Sequence, residues 1–139
     1  RPRRATDLIS PRAHAYIDIV CFPLMLGLAA WAARRSKRAA AIILANTLGE
    51  GFMMSITRFP AGLLPLVSFR RHAQVGQVGG PFWLALGAFT PRVPQPERAV
   101  LIILGLLPTV LNHLSDTSQP EADAPARRLG EETRPLGDN

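Results

Sequence analysis

Polar and apolar residues are segregated along this chain rather than interleaved. Four apolar stretches, 15–33, 39–57, 73–90 and 99–114, contain between them two carboxylates, Asp18 and Glu50, and no lysine or arginine. A helix at the surface of a water-soluble protein carries charges on its outer face. These stretches do not, and each approaches the run of about 20 apolar residues that a helix needs to cross a hydrocarbon layer of about 30 Å. The pattern predicts an all-α integral membrane four-helix bundle. The first three stretches meet the required span, whereas the fourth is short and calls for tilt or protein neighbours.

The residues between the stretches set the element boundaries. Ser10-Pro11 is a start signal, a capping hydroxyl followed by a proline that fits the first turn, so helix 1 is expected over 11–33 with a kink at Pro23. The basic link 34–38 is short enough to return helix 2, over 39–57, antiparallel beside helix 1. Residues 58–62 break the helix, and the Pro-interrupted segment 63–67 is too short to span and is expected to lie in the interface. Helix 3, over 70–90, carries Gly76, Gly79, Gly80 and Gly87, which permit close approach of a partner backbone. A proline-rich turn, 91–96, leads to helix 4 over 97–114. The expected organisation is a basic leader at 1–10, a first hairpin at 11–62, an interfacial segment and second hairpin at 63–115, and a polar tail at 116–139. The tail mixes Pro, Gly, acids and arginines without periodicity and is predicted to be extended or disordered.

The two hairpins read as copies of one another. An offset of 58 residues matches Ser10, Arg12, His14, Ala15, Val20 and Pro23 with Ser68, Arg70, His72, Ala73, Val78 and Pro81. Self-similarity at a fixed period marks a repeat architecture. Because each copy holds two spans, both enter the membrane from the same side, and the expected relation is a parallel pseudo-two-fold axis along the membrane normal. Helices 1 and 3 then run the same way, and His14 and His72 share one depth.

Composition changes this picture little. The mean hydropathy of +0.13 is low for a membrane protein because the tail dilutes it. A net charge of +6 would suggest nucleic-acid binding in a soluble protein. Here the basic residues flank the apolar spans (Arg34, Arg35, Lys37 and Arg38; Arg70 and Arg71), where contact with lipid headgroups and control of topology account for them, and no nucleic-acid partner is expected. The single cysteine, Cys21, cannot form an intramolecular disulfide.

Ser10-Pro11-x-x-His14-x-x-x-Asp18, followed by Thr57-x-x-Pro60-x-Gly62 and a second helix start at His72, resembles a group of small bacterial four-helix membrane proteins of uncharacterised function. The resemblance covers roughly residues 9–90 and implies a fold and no activity. The chain departs from the group's pattern at Thr57-Arg58-Phe59-Pro60, where the group has Thr-Asp-Tyr-Pro, and at Gly76, where it has an acid.

Within the spans the polar side chains collect toward the face where helices 1 and 3 begin. With a rise of about 1.5 Å per residue, His14 is shallow, Asp18 and Glu50 lie roughly 10 Å in, and Asn46 is deeper. Gln74, Asn112 and His113 belong to the same half. Ionisable groups inside a membrane mark a functional site when they face the bundle interior. Their bland role is interhelical glue, with His14 and Asp18 satisfying each other at i, i+4. No metal site and no catalytic residue are assigned, because no Gly-rich phosphate loop, paired cysteine, His-Glu-x-x-His or Gly-x-Ser-x-Gly motif is present.

These residues support a non-catalytic membrane component, an accessory or assembly subunit packed against a larger respiratory or photosynthetic complex or against another copy of itself. The expected location is the bacterial cytoplasmic membrane, with both termini cytoplasmic. Two other readings use the same cluster. His14 and His72 could ligate haem b or a chlorophyll as an electron carrier, and Asp18 and Glu50 could relay protons in a small transporter.

Overall fold

The computed structural model describes residue 2 and residues 4–119. Among the described residues the chain forms four helices and no strand: α1 (Pro11–Ala33), α2 (Lys37–Ile56), α3 (Phe69–Phe89) and α4 (Gln95–Leu114). The part of the polar tail from residue 120 onward lies outside the described residues.

The boundaries follow local chemistry. Ser10, Ser36 and Ser68 each accept a hydrogen bond from the amide three residues on, at Ala13, Ala39 and Arg71, which satisfies one of the amides a helix start leaves open. Because Ser36 is the cap, α2 begins at Lys37, two residues before the apolar stretch. The helix α4 begins at Gln95, ahead of Glu97, since a proline in its first turn costs no hydrogen bond. At the other end of α3, Thr90 precedes a proline and turns extended, as the steric demand of the following ring requires.

The helices pair as two hairpins, α1 with α2 and α3 with α4, each making most of its contacts internally. In the second hairpin the axes come close because glycines form the contact. A side chain on Gly76 would collide with Asn112, on Gly80 with Thr109, on Gly87 with Leu101, and on Gly105 with Leu84. Gly79 differs, facing open space. In the first hairpin Gly51 fits under the ring of Phe22. The hairpins meet through a core in which Met25, Ala29, Ala32, Ala39 and Ile43 pack against Val93, Leu101 and Leu104.

By length and composition α1, α2 and α4 can each cross a membrane. This corrects the expectation about which span is weak. The start at Gln95 gives α4 20 residues, and it is α3 whose composition falls short. Arg70, Arg71, His72, Gln74 and Gln77, with four glycines, dilute its apolar content. Large apolar side chains otherwise cover the outside of the bundle, among them Leu24, Leu48, Phe52, Val78, Phe82 and Ile103.

The tail also begins later than its composition suggests. Asp116 and Thr117 are buried, the Asp116 amide donates to the Ile9 carbonyl, and the Thr117 carbonyl accepts from Arg70. Residues 63–67 are tied back to the end of α2, where the Leu63 and Leu64 amides donate to the Ser55 carbonyl and the Leu66 and Val67 amides to the Ile56 carbonyl.

Candidate functional site

The bundle has two ends with different chemistry. At one end α1 and α3 begin and α2 and α4 finish, and here His14, Asp18 and His72 come together. His14 and His72 sit one turn inside their helices and are both buried. Their rings touch edge to face, with centroids 5.2 Å apart and planes at 90°. Phe69 lies edge-on to His14 at 5.1 Å and stacks on His72 at 6.0 Å, and Phe59 packs against His72 at 5.4 Å. These two phenylalanines cover the histidines and fix their ring planes.

Each histidine is gripped by the hairpin it does not belong to. His14 Nδ1 is 2.6 Å from Ser115 Oγ, just past the end of α4. His72 Nδ1 is 2.8 Å from Thr57 Oγ1, just past the end of α2. Each hydroxyl donates its own proton to the carbonyl four residues back, Ser115 to Leu111 at 2.7 Å and Thr57 to Met53 at 2.5 Å. A hydroxyl carries one proton, so its oxygen can only accept from the histidine. The neutral rings that fit this pattern carry their proton on Nδ1 and present a lone pair on Nε2. These lone pairs face the same oxygen, Asp18 Oδ2, at 3.5 Å from His14 and 3.7 Å from His72. Asp18 Oδ2 is buried and has no hydrogen-bond partner.

The other residues of the predicted cluster divide. Glu50 lines a cavity of about 40 Å³ with Asp18, Cys21 and Asn46, and on its other side a cavity of about 130 Å³ with His72 and Gly76, so it belongs to the same centre. Asn46 is buried with Oδ1 unpaired. Asn112 is buried against α3, its amide bonded to the Pro108 carbonyl, and serves helix packing. Gln74 and His113 are exposed and stand apart from the centre, with His113 Nδ1 at 2.7 Å from the Thr109 carbonyl of its own helix. The expected i, i+4 pairing of His14 with Asp18 is present as a contact, but His72 shares the same oxygen. One ligand atom from each of His14, Asp18 and His72 lies within 4.8 Å of the others, a spacing that could hold a metal ion. No linear motif in the sequence marks that grouping, because its members come from two hairpins. The ring arrangement does not suit a tetrapyrrole, because bis-histidine ligation puts the macrocycle plane between two imidazoles and these rings touch.

Sequence reasoning missed Thr57 and Ser115 as partners of the histidines. The available signal was that each is the first residue after a helix, 47 residues after the serine that starts its own hairpin, Ser10 for Thr57 and Ser68 for Ser115. It also missed the second end of the bundle. There Glu97 is fully buried and Arg35 Nε lies 2.6 Å from Glu97 Oε1, Arg38 donates to the Pro91 carbonyl, and Arg98 donates to the carbonyls of Gly87 and Ala88 at the end of α3 and of Thr90 and Val93 in the turn that follows. No family model matches the chain, and no curated protein or solved structure is similar to it.

Proposed function

We propose that this chain is a non-catalytic integral membrane protein of the bacterial cytoplasmic membrane, built from two tandem copies of a helical hairpin, that packs through α3 against a larger membrane complex. The two-copy reading is supported by a set of hydrogen bonds that recur at an offset of 58. The Leu8 and Ile9 amides donate to the Leu114 carbonyl as the Leu66 and Val67 amides donate to that of Ile56, and the Asp116 amide donates to the Ile9 carbonyl as the Arg58 amide donates to that of Val67. The crossed pairs His14–Ser115 and His72–Thr57 obey the same offset.

The observation that carries the lateral-partner reading is the outer face of α3. This is the helix least suited to lipid, yet its exposed residues Gln74, Val75, Val78 and Phe82 surround an open space over Gly79. A bare glycine beside apolar side chains is the surface on which a second helix packs closely, and protein neighbours would shield Gln74 from hydrocarbon. Both termini are assigned to the cytoplasmic side by a narrow excess of basic residues, seven in segments 1–12 and 58–71 against six in segments 34–38 and 92–98.

Native electrophoresis of membranes solubilised in mild detergent tests this directly. The wild-type chain is expected in an assembly larger than its own 15.1 kDa, and Gly79→Leu, which adds bulk where a Cβ would meet nothing within 4 Å, is expected to release it as a folded single chain. A wild type that migrates alone after mild extraction would refute the reading.

A further inference from the structure

We propose that His14, Asp18 and His72 form a binding site for one divalent first-row transition-metal ion, with Zn²⁺ the representative case. The site is independent of any lateral partner, since all three ligands come from one chain.

The argument starts from what the three groups cannot do for one another. The hydroxyls of Ser115 and Thr57 hold both histidines as Nδ1–H tautomers, which leaves two bare Nε2 lone pairs pointed at Asp18 Oδ2. An ionised carboxylate is acceptor-only, so three electron-rich atoms converge with nothing between them. A shared proton does not repair this. An O–H···N hydrogen bond needs the heavy atoms within about 3.2 Å, and both separations are longer, at 3.5 and 3.7 Å.

A metal ion does repair it. With metal–ligand bonds of about 2.0 to 2.2 Å, the ligand atoms of a tetrahedral site stand about 3.3 to 3.5 Å apart. The two nitrogen–oxygen separations, 3.5 and 3.7 Å, lie within a few tenths of an ångström of that spacing, and all three ligand atoms lie within 4.8 Å of one another. Two imidazoles and one carboxylate form a donor set that zinc, iron and nickel accept and that magnesium and calcium do not favour.

The surroundings match a ligand site at the next layer out. Metal-bound histidines almost always donate their other N–H to an acceptor that fixes tautomer and orientation. Here both do so, to hydroxyls whose own protons are committed to helix carbonyls. Phe59 and Phe69 supply an apolar cover over the rings. The cavities on either side of Glu50, about 40 and 130 Å³, are large enough for a water molecule to complete the coordination. Thr57 and Ser115 are positioning residues, because they act on the metal only through the rings they orient.

The test uses tag-free protein in detergent, stripped with a chelator, then titrated with Zn²⁺ by calorimetry and with Co²⁺ by visible absorption. Wild type is expected to bind one Zn²⁺ per chain and to give the intense ligand-field bands of low-coordinate Co²⁺. Asp18→Asn and His72→Ala are expected to lose stoichiometric binding. Thr57→Val and Ser115→Ala, which keep all three ligands, are expected to bind about 10- to 100-fold more weakly, and His113→Ala to bind as wild type does. Thermal unfolding guards against variants that simply fail to fold. Zn²⁺ should raise the melting temperature of wild type and leave Asp18→Asn, which preserves the side chain's shape, unmoved. Absence of stoichiometric uptake by wild type, or an equal Zn²⁺-dependent rise in Asp18→Asn, overturns the site. Because the isolated chain is titrated, failure here is distinct from failure to find a lateral complex.

Discussion

The two ends of the bundle solve the same problem with opposite chemistry. Both must tie one hairpin to the other across an apolar core. The end where the hairpin links lie uses formal charge, pairing a half-exposed Arg35 with a fully buried Glu97 and anchoring Arg38 on the Pro91 carbonyl. At the other end the histidine centre uses hydrogen bonds from imidazoles to hydroxyls, beside the Arg70 guanidinium on the Thr117 carbonyl, and Asp18 Oδ2 has no hydrogen-bond partner. A charged tie tolerates approximate geometry because its long side chains reach and its partner field is broad. The histidine end has no such slack, since each contact is a short directional bond between residues at helix ends. The first is built to hold, and the second is built to place lone pairs.

Removing charge at the arginine end should have the largest effect. Arg35→Ala leaves the buried Glu97 without its cation, and stranding one partner of a buried pair costs about 3 to 5 kcal/mol, reduced toward the lower figure because the Arg35 side is open to solvent. Thermal unfolding in detergent should show that loss, with Glu97→Gln much milder. Equal losses for the two variants would mean that the pair does not govern this end.

At the histidine end the expected loss is smaller. Ser115→Ala or Thr57→Val in metal-free protein strips one acceptor from a buried imidazole N–H, which costs about 1 to 3 kcal/mol. The two hydroxyls act on rings that share one carboxylate, so the double variant should depart from additivity by more than about 0.5 kcal/mol, readable in a double-mutant cycle. Strict additivity would show that the two crossed contacts are independent. The smallest effect is expected from Arg38→Ala, under about 1 kcal/mol, since its bond to the Pro91 carbonyl is exposed and water replaces it. A loss as large as that of Arg35→Ala would move the weight of this end from the ion pair to the turn.

Much of the fold was legible because each feature depends on local sequence. Ser10-Pro11 before an apolar run gave the first helix start, the basic link 34–38 gave the first hairpin, and the glycines of helix 3 gave close approach of a partner backbone. Gly79 does not share that contact, since small size is visible in a sequence and the direction a residue faces is not. The weak span was assigned to helix 4 because counting began at Ala99, although the helix runs back through Pro96 to Gln95. His14, Asp18 and Glu50 were recognisable as polar residues where lipid should be. The convergence of His72 on Asp18 was not recognisable, because it depends on how the hairpins dock. Ser115 and Thr57 looked like ordinary chain-end hydroxyls for the same reason. Glu97 was read as the first residue of a helix, and its burial follows from the opposite hairpin covering it.

The contact between His14 and Ser115 joins residues 101 positions apart, which gives the centre a place in time as well as in space. During synthesis the first hairpin emerges with its histidine already in helix α1, while the hydroxyl that orients it is still unmade. Thr57 is available early, but the ring it holds, His72, belongs to the second hairpin. His14 therefore cannot be set until α4 has been inserted and its last turn has closed beside Ile9, whereas His72 can meet Thr57 once α3 is in place. A chain that stalls or misinserts its final helix would carry both histidines and the aspartate yet never assemble them, so the finished centre reports on the arrival of the last span.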